Sequence, residues 1–185
     1  MKPRKIIVAV TGASGAIYAR KTLEALMDVP YLEQIAVVTS RNGEAVAAYE
    51  GETLPDTDGR IVRYGNDDMF APPASGSARY DAMIIVPCSV GSAGRIASGT
   101  SQDLIGRAAD VMLKERRRLI LVVRETPLST IHLNNLAAIS ECGGIILPAS
   151  PSFYSHPVDI EDLCGTVTGR ILDLLEIEND AYRWG

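Results

Sequence analysis

The stretch Ile6-Ile7-Val8-Ala9-Val10-Thr11-Gly12-Ala13-Ser14-Gly15-Ala16 decides the fold. Its first five residues are apolar and mostly β-branched, which predicts a strand buried on both faces. Thr-Gly-Ala-Ser-Gly at 11–15 breaks the run, and helical spacing follows at Ala16, Ala19, Leu23, Leu26 and Met27. A buried strand, a glycine turn and an amphipathic helix make the opening of a βα unit.

Outward from this stretch the pattern repeats. Buried strands are expected at 35–38, 81–86, 119–123 and 145–147, with a weaker one at 61–64 and with Pro87 stopping the run at 86. Helices are expected at 43–50, 91–98, 103–115 and 129–142, the last closed by Gly143 and Gly144. Ile160, Leu163, Val167, Ile171 and Leu174 mark a final amphipathic helix, and 51–80 is the longest irregular stretch. Apolar strands alternating with helices predict an α/β fold, a Rossmann-like or flavodoxin-like three-layer sandwich around a mainly parallel sheet. Nothing divides the chain, so residues 1–185 are expected to form a single domain.

Composition narrows the function. Hydrophobic residues make up 46% of the 185 and charged residues 22%, enough to bury a core. Net charge is −5 and pI about 5.1, against a nucleic-acid or membrane-surface role, which needs a basic face. The short basic run Lys114 to Arg118 is broken by Glu115, and Arg116, Arg117 and Arg118 read as a solvated helix end. Cys88, Cys142 and Cys164 have no zinc-ligand spacing and fit a reducing, cytoplasmic compartment. The apolar run after the basic start is too short and too β-branched for a signal peptide, and no run approaches a membrane span.

In open α/β sheets ligands sit outside the carboxyl ends of strands, here the loops at 11–15, 39–42, 87–92 and 124–129. Gly12, Ala13, Ser14 and Gly15 offer a tight turn, a hydroxyl and free amides at a helix start, which can take an anion. A dinucleotide fingerprint fails, because Ser14 and Ile17 stand where glycines are needed and the second strand ends in Thr39-Ser40-Arg41 without an acid. A Walker loop fails for want of Gly-Lys-Ser/Thr, and no tyrosine has lysine four positions on, as short-chain dehydrogenases need. A mononucleotide fits better. Pro87-Cys88-Ser89-Val90-Gly91-Ser92 offers a second donor loop, with helix capping by Ser89 an equal alternative, and Ser40 reads more simply as a cap.

Arg107 and Lys114 are seven apart on one expected helix and share a face, about 10 Å apart. Arg124 and Glu125 follow directly after a buried strand, Tyr154 lies between Pro151 and Pro157, and Arg170 lies in the last helix. His132 and His156 stand alone at unrelated spacing and receive no role.

With these residues in place the chain resembles the UbiX-type flavin prenyltransferases. The likeness rests on Thr-Gly-Ala-Ser-Gly-Ala (11–16), Ala-Pro-Pro-Ala-Ser-Gly-Ser (71–77) and Pro-Cys-Ser (87–89). It continues through Arg-Ala-Ala-Asp-Val (107–111), Leu-Lys-Glu-Arg-Arg (113–117), Val-Arg-Glu-Thr-Pro-Leu-Ser (123–129), Phe-Tyr (153–154) and Arg183-Trp184. The resemblance implies joining a dimethylallyl group from dimethylallyl monophosphate to N5 and C6 of reduced FMN. The prenylated FMN would serve a UbiD-type decarboxylase, and the enzyme would be a homododecamer with sites at subunit contacts. By position it implies FMN binding by Gly12, Ala13, Ser14, Ser40, Ser89, Val90, Gly91, Ser92 and Arg124. Tyr154 and Arg170 would hold the prenyl phosphate, with Glu50, Arg107 and Lys114 nearby; Glu125 would be the acid–base residue, with Ser14 and Lys114 in the catalytic set.

The chemistry agrees. Ionising an allylic phosphate leaves a cation and an anion, and fixed cations stabilise the anion where its charge develops. Asp67-Asp68 stands alone, which suits a monophosphate handled without Mg²⁺ or any other metal. The chain departs from many relatives at Met69, where they carry tryptophan, at Arg170, where some carry lysine, and at Gly106, where an acid is frequent. Two other functions compete: an FMN-dependent decarboxylase of peptidyl or pantothenoyl cysteine, and a non-catalytic FMN carrier. The first is expected to need an early histidine, and none precedes His132. The second has no use for a leaving-group pocket.

Overall fold

The computed structural model describes residues 2–183. Six strands, β1 (Lys5–Val10), β2 (Gln34–Thr39), β3 (Ile61–Gly65), β4 (Ala82–Cys88), β5 (Arg118–Val123) and β6 (Ile145–Pro148), form one sheet in the order β3-β2-β1-β4-β5-β6. Every pairing is parallel. This is the doubly wound arrangement, in which the chain reverses direction across the sheet between β1 and β4. Five helices lie between strands, α1 (Ala16–Met27), α2 (Arg41–Glu50), α3 (Val90–Ala97), α4 (Leu104–Lys114) and α5 (Thr130–Glu141), and α6 (Ile160–Leu174) follows β6. No described helix is long and apolar enough to cross a membrane.

The strands are apolar throughout because both faces are covered. Ile6, Val8 and Val10 of β1 pack toward α1 and α6, while Ile7 and Ala9 pack toward α3, α4 and α5. Leu23 and Leu26 of α1 and Ile171 of α6 are fully buried in the first layer, and Leu104, Ala108 and Met112 of α4 in the second. Each such leucine, isoleucine or methionine withdraws enough apolar surface to contribute about 1.5–3 kcal/mol. Ion pairs bind α1 to its neighbours: Arg20 to Glu52 (2.6 Å) and to Glu161 (2.5 Å), and Lys21 to Glu161 (3.0 Å).

Three expectations need correction. Pro87 does not end β4, which continues to Cys88 through a register shift after Ile85. Ala82, Ile84 and Val86 face one layer and Met83 and Ile85 the other, yet Cys88 joins Met83 and Ile85. The bulge absorbs a proline that has no N–H for the ladder. The stripe on α6 is also displaced: Cys164, Val167, Ile171 and Leu172 are buried, whereas Ile160 is exposed at the helix start. Arg117 is no solvated helix end, because its guanidinium donates to the carbonyls of Tyr80 (3.2 Å) and Gly76 (2.9 Å). That clamp holds two short 3-10 turns, Pro72–Ala74 and Gly76–Ala78, inside the stretch expected to be irregular.

Candidate active site

The carboxyl ends of β1, β2, β4 and β5 meet at one edge, and hydrogen bonds between their loops close it. Thr11 donates its N–H (3.2 Å) and its hydroxyl (2.8 Å) to the Pro87 carbonyl, and accepts at Oγ1 from Ser89 N–H (2.8 Å). Ser40 N–H reaches Val10 O (2.9 Å), and Arg124 N–H reaches Cys88 O (3.2 Å). The glycine turn is needed here. Gly15 has φ 106, in the left-handed region, and a Cβ on Gly12 would stand 2.5 Å from that of Asn42.

Three helix starts face this edge, and they differ. At α1, the amides expected to receive a ligand anion instead hold Glu50: Gly15 N–H lies 3.0 Å from both carboxylate oxygens and Ala16 N–H 2.7 Å from one. Burial works against ionising Glu50, but Ser14, the Ala16 and Gly15 amides and the Arg124 charge outweigh it and lower its pKa from the ordinary 4.5. At α2, Ser40 accepts from Gly43 N–H (3.0 Å), the cap that the sequence implied. At α3, Ser89 accepts from Ser92 N–H (3.2 Å), and Ser92 Oγ accepts from the hydroxyl of Ser89 (3.0 Å) and from Arg95 (3.1 Å). Capping by Ser89 is therefore present, yet it leaves the N–H groups of Val90 and Gly91 among the orphan donors of a helix start. Gly91 is exposed, and a Cβ there would make an ordinary contact with Arg95 Nη1 at 3.9 Å.

Arg124 bends back over the turn and donates from Nε to Ser14 O (3.1 Å), so the strand-end cation and the glycine loop are brought together. Glu125 is exposed, and its carboxylate accepts from Thr126 N–H (3.1 Å). The remaining candidates divide. Arg107 donates to Ala74 O (3.1 Å) and Asp110 (2.7 Å), and Lys114 to Glu115 (2.8 Å), all on the α4 side of the sheet. Tyr154 and Arg170 lie on the α6 side, where they line a cavity of about 810 Å³ with Lys21, Ser152, Thr166 and Arg183. The sheet stands between the two groups, so one chain does not bring Arg107 and Lys114 to Tyr154 and Arg170.

Met69 is partly exposed and Phe70 beside it fully exposed. His132 closes a reciprocal cap, Nδ1 accepting from Ser129 N–H (3.2 Å) while Ser129 Oγ accepts from His132 N–H (3.3 Å). Trp184, part of the family resemblance, lies outside the described residues. Two groups on the cavity wall escaped sequence reasoning: Lys21, hidden among the polar positions of α1, and Asp173, whose one signal is its place three residues after Arg170.

Residues 1–176 match the Flavoprotein family. The flavin prenyltransferase UbiX of Methanocaldococcus jannaschii is 42% identical over 188 residues, covering 98% of each chain. The chain belongs to the flavin prenyltransferase family. Among solved structures, that of AnUbiX (PadA1) in complex with FMN and dimethylallyl pyrophosphate superposes with a TM-score of 0.92 at 44% identity, covering 100% of this chain and 98% of the other. A dodecameric FMN-dependent UbiX-like decarboxylase from Escherichia coli O157:H7 gives 0.90 at 39% identity, covering 98% and 99%. The family is an enzyme family of transferases, which sets aside the carrier and cysteine decarboxylase alternatives.

Proposed function

We propose that this chain transfers the dimethylallyl group of dimethylallyl monophosphate to N5 and C6 of reduced FMN, and that a UbiD-type decarboxylase receives the prenylated product. The observation that carries the reading is the contrast among the three helix starts at the β1–β4 crossover. The first is neutralised by Glu50, with Arg124 lying over the Ser14 carbonyl of the same loop, while the serine caps of the second and third leave their first amides as donors. Open amides, serine hydroxyls and an exposed glycine suit a flat ligand that ends in a phosphate.

FMN, held reduced, supplies the nucleophilic ring positions. Gly12, Ala13, Ser14, Ser40, Ser89, Val90, Gly91, Ser92 and Arg124 hold and orient it. Tyr154 and Arg170 grip the prenyl phosphate, whose negative charge grows as the allylic C–O bond breaks, so a fixed guanidinium favours the transition state. Arg107 and Lys114 add to that electrostatic frame, while Glu50, seated on the α1 amides, holds the glycine loop beside it. Glu125, exposed at the mouth, moves a proton between the flavin edge and the departing phosphate, and Ser14 and Lys114 assist.

The reading requires a second copy of the chain, because α4 and α6 lie on opposite faces of the sheet. Exposed Phe70, Ile131 and Leu133 offer apolar surface for such a contact, and a dodecamer built through it joins Lys114 of one copy to Arg170 of another. Residues 1–185 act as one flavoprotein domain in this assembly. The reaction is placed in the cytoplasm, where the three free thiols stay reduced.

Anaerobic mixing of the protein with reduced FMN and dimethylallyl monophosphate is expected to yield a flavin heavier by one prenyl unit. Recovery of unmodified flavin by mass spectrometry would overturn the reading.

A further inference from the structure

The wall of the α6 cavity carries a charge arrangement to which the reading above gives no task. Asp173 is mostly buried, its side chain 19% exposed. Its Oδ2 accepts from Nη1 of Arg170 (2.8 Å) and from Nη1 of Arg183 (2.9 Å). Its Oδ1 accepts from Asn179 Nδ2 (3.0 Å) and lies 2.8 Å from Nη2 of Arg183. Asn179 in turn receives Ala181 N–H (3.1 Å), so residues 178–183 fold back along α6. The tail seats where α6 has no side chain: a Cβ on Gly169 would stand 2.5 Å from that of Ala181.

Two guanidiniums share the Asp173 carboxylate, on a wall where Lys21, Arg170 and Arg183 stand among the carboxylates of Glu161, Asp162, Asp173 and Asp180. Arg170 and Arg183 remain 63% and 54% exposed, and Arg170 spends one of its five N–H donors on Asp173. Burial works against the charge on Asp173, but Asn179, Arg183 and Arg170 outweigh it and lower its pKa below the ordinary 3.8, so it stays anionic at neutral pH. An unanchored arginine samples many rotamers and loses that freedom when it grips a ligand. A carboxylate that holds two arginines in register removes most of that cost before the ligand arrives.

We propose that Asp173 is the positioning residue of the prenyl-phosphate cavity, pairing Arg170 with Arg183 so that Arg183 becomes a second cation on the phosphate and the tail closes the wall. The inference rests on the reading that this cavity receives the prenyl phosphate. It makes the tail part of the binding site, through a carboxylate that never touches the substrate.

The test uses the full chain with reduced FMN, varying dimethylallyl monophosphate. Asp173→Asn and Arg183→Ala are each expected to raise KM roughly tenfold, the scale of one charge-assisted hydrogen bond, with kcat changed less than about threefold. FMN affinity should stay at the wild-type value, since neither residue approaches the flavin loops. Arg183→Lys restores part of the loss, and the double variant is no worse than the poorer single, because the two residues act as a unit. Gly169→Ala keeps every charge and lifts the tail, and is expected to raise KM in the same way. A wild-type enzyme that prenylates while all these variants keep KM within about twofold overturns this proposal alone, since twofold is far below one hydrogen bond. A wild type that binds FMN and forms no prenylated flavin overturns both this proposal and the reading beneath it.

Discussion

The carboxyl edge of the sheet and the α6 cavity both gather polar groups, but they are built from different materials. Apart from Arg124 and Glu50, the edge is made of backbone amides and short hydroxyl side chains, each within a few residues of a strand end and many already bonded to one another. The cavity adds long charged side chains, Lys21 of α1, Arg170 of α6 and Arg183 of the tail, to the short serines of residues 150–157, and carboxylates tie these cations down. Main-chain donors are positioned by the fold at no side-chain entropy cost, whereas each free arginine gives up as much as about 2 kcal/mol when it is fixed. The edge is therefore shaped before any ligand binds, and the cavity owes its shape to Asp173 and Glu161 and, in the proposed reaction, to a second copy.

Glu125, exposed two residues past the end of β5, offers the hardest test of the contrast. Its carboxylate touches little beyond Thr126 N–H, so Glu125→Gln should leave the edge intact and FMN binding unchanged. Turnover is expected to fall about a hundredfold or more, the usual scale for a lost general acid or base. Loss of FMN in this variant would mean that the carboxylate shapes the edge; a wild-type rate would strip it of its proton-transfer role.

A smaller effect sharpens the claim that the cavity is shared. Lys114→Ala and Arg170→Ala should each be nearly inactive alone. Coexpressed in equal amounts, they should recover about a quarter of wild-type activity, because one site in four draws both intact residues when each comes from a different copy. If all candidates met within one chain, mixing would recover nothing.

The same contrast explains what could be read from the sequence. The β1 turn was legible because strand, glycines and helix are contiguous, and Ser40 and Ser89 were legible as caps because capping is a local act. The extent of β4 was misjudged at Pro87, since only the partner strands show that a bulge carries the ladder onward to Cys88. Glu50 was placed near the prenyl phosphate through the family resemblance alone. That it fills the α1 amides depends on a contact across 34 and 35 residues, which no periodicity reports. The split of Arg107 and Lys114 from Arg170 was likewise invisible, because it depends on which face of the sheet each helix covers. Arg117, set aside as solvated, is held by carbonyls 37 and 41 residues away.

The smallest effect concerns Glu50, the long carboxylate that, with Arg124, belongs to the edge. Its carboxylate sits on the Gly15 and Ala16 amides, where a negative charge meets the positive end of α1. Glu50→Gln keeps an oxygen for one amide but removes the charge. Stability at pH 7 should fall by about 1 kcal/mol, or about 2–4 °C in melting temperature for a chain of this size. The pH dependence fixes the cause. The folded state holds the Glu50 pKa below the ordinary 4.5, so the unfolded chain binds its proton first as pH falls. The stabilisation is fully present above 4.5 and disappears as pH drops through the lowered value. Wild type and variant should therefore differ most at neutral pH and converge in acid. A gap that stays constant from pH 7 down through the carboxylate range would mean that shape, rather than charge, is what Glu50 brings to the edge.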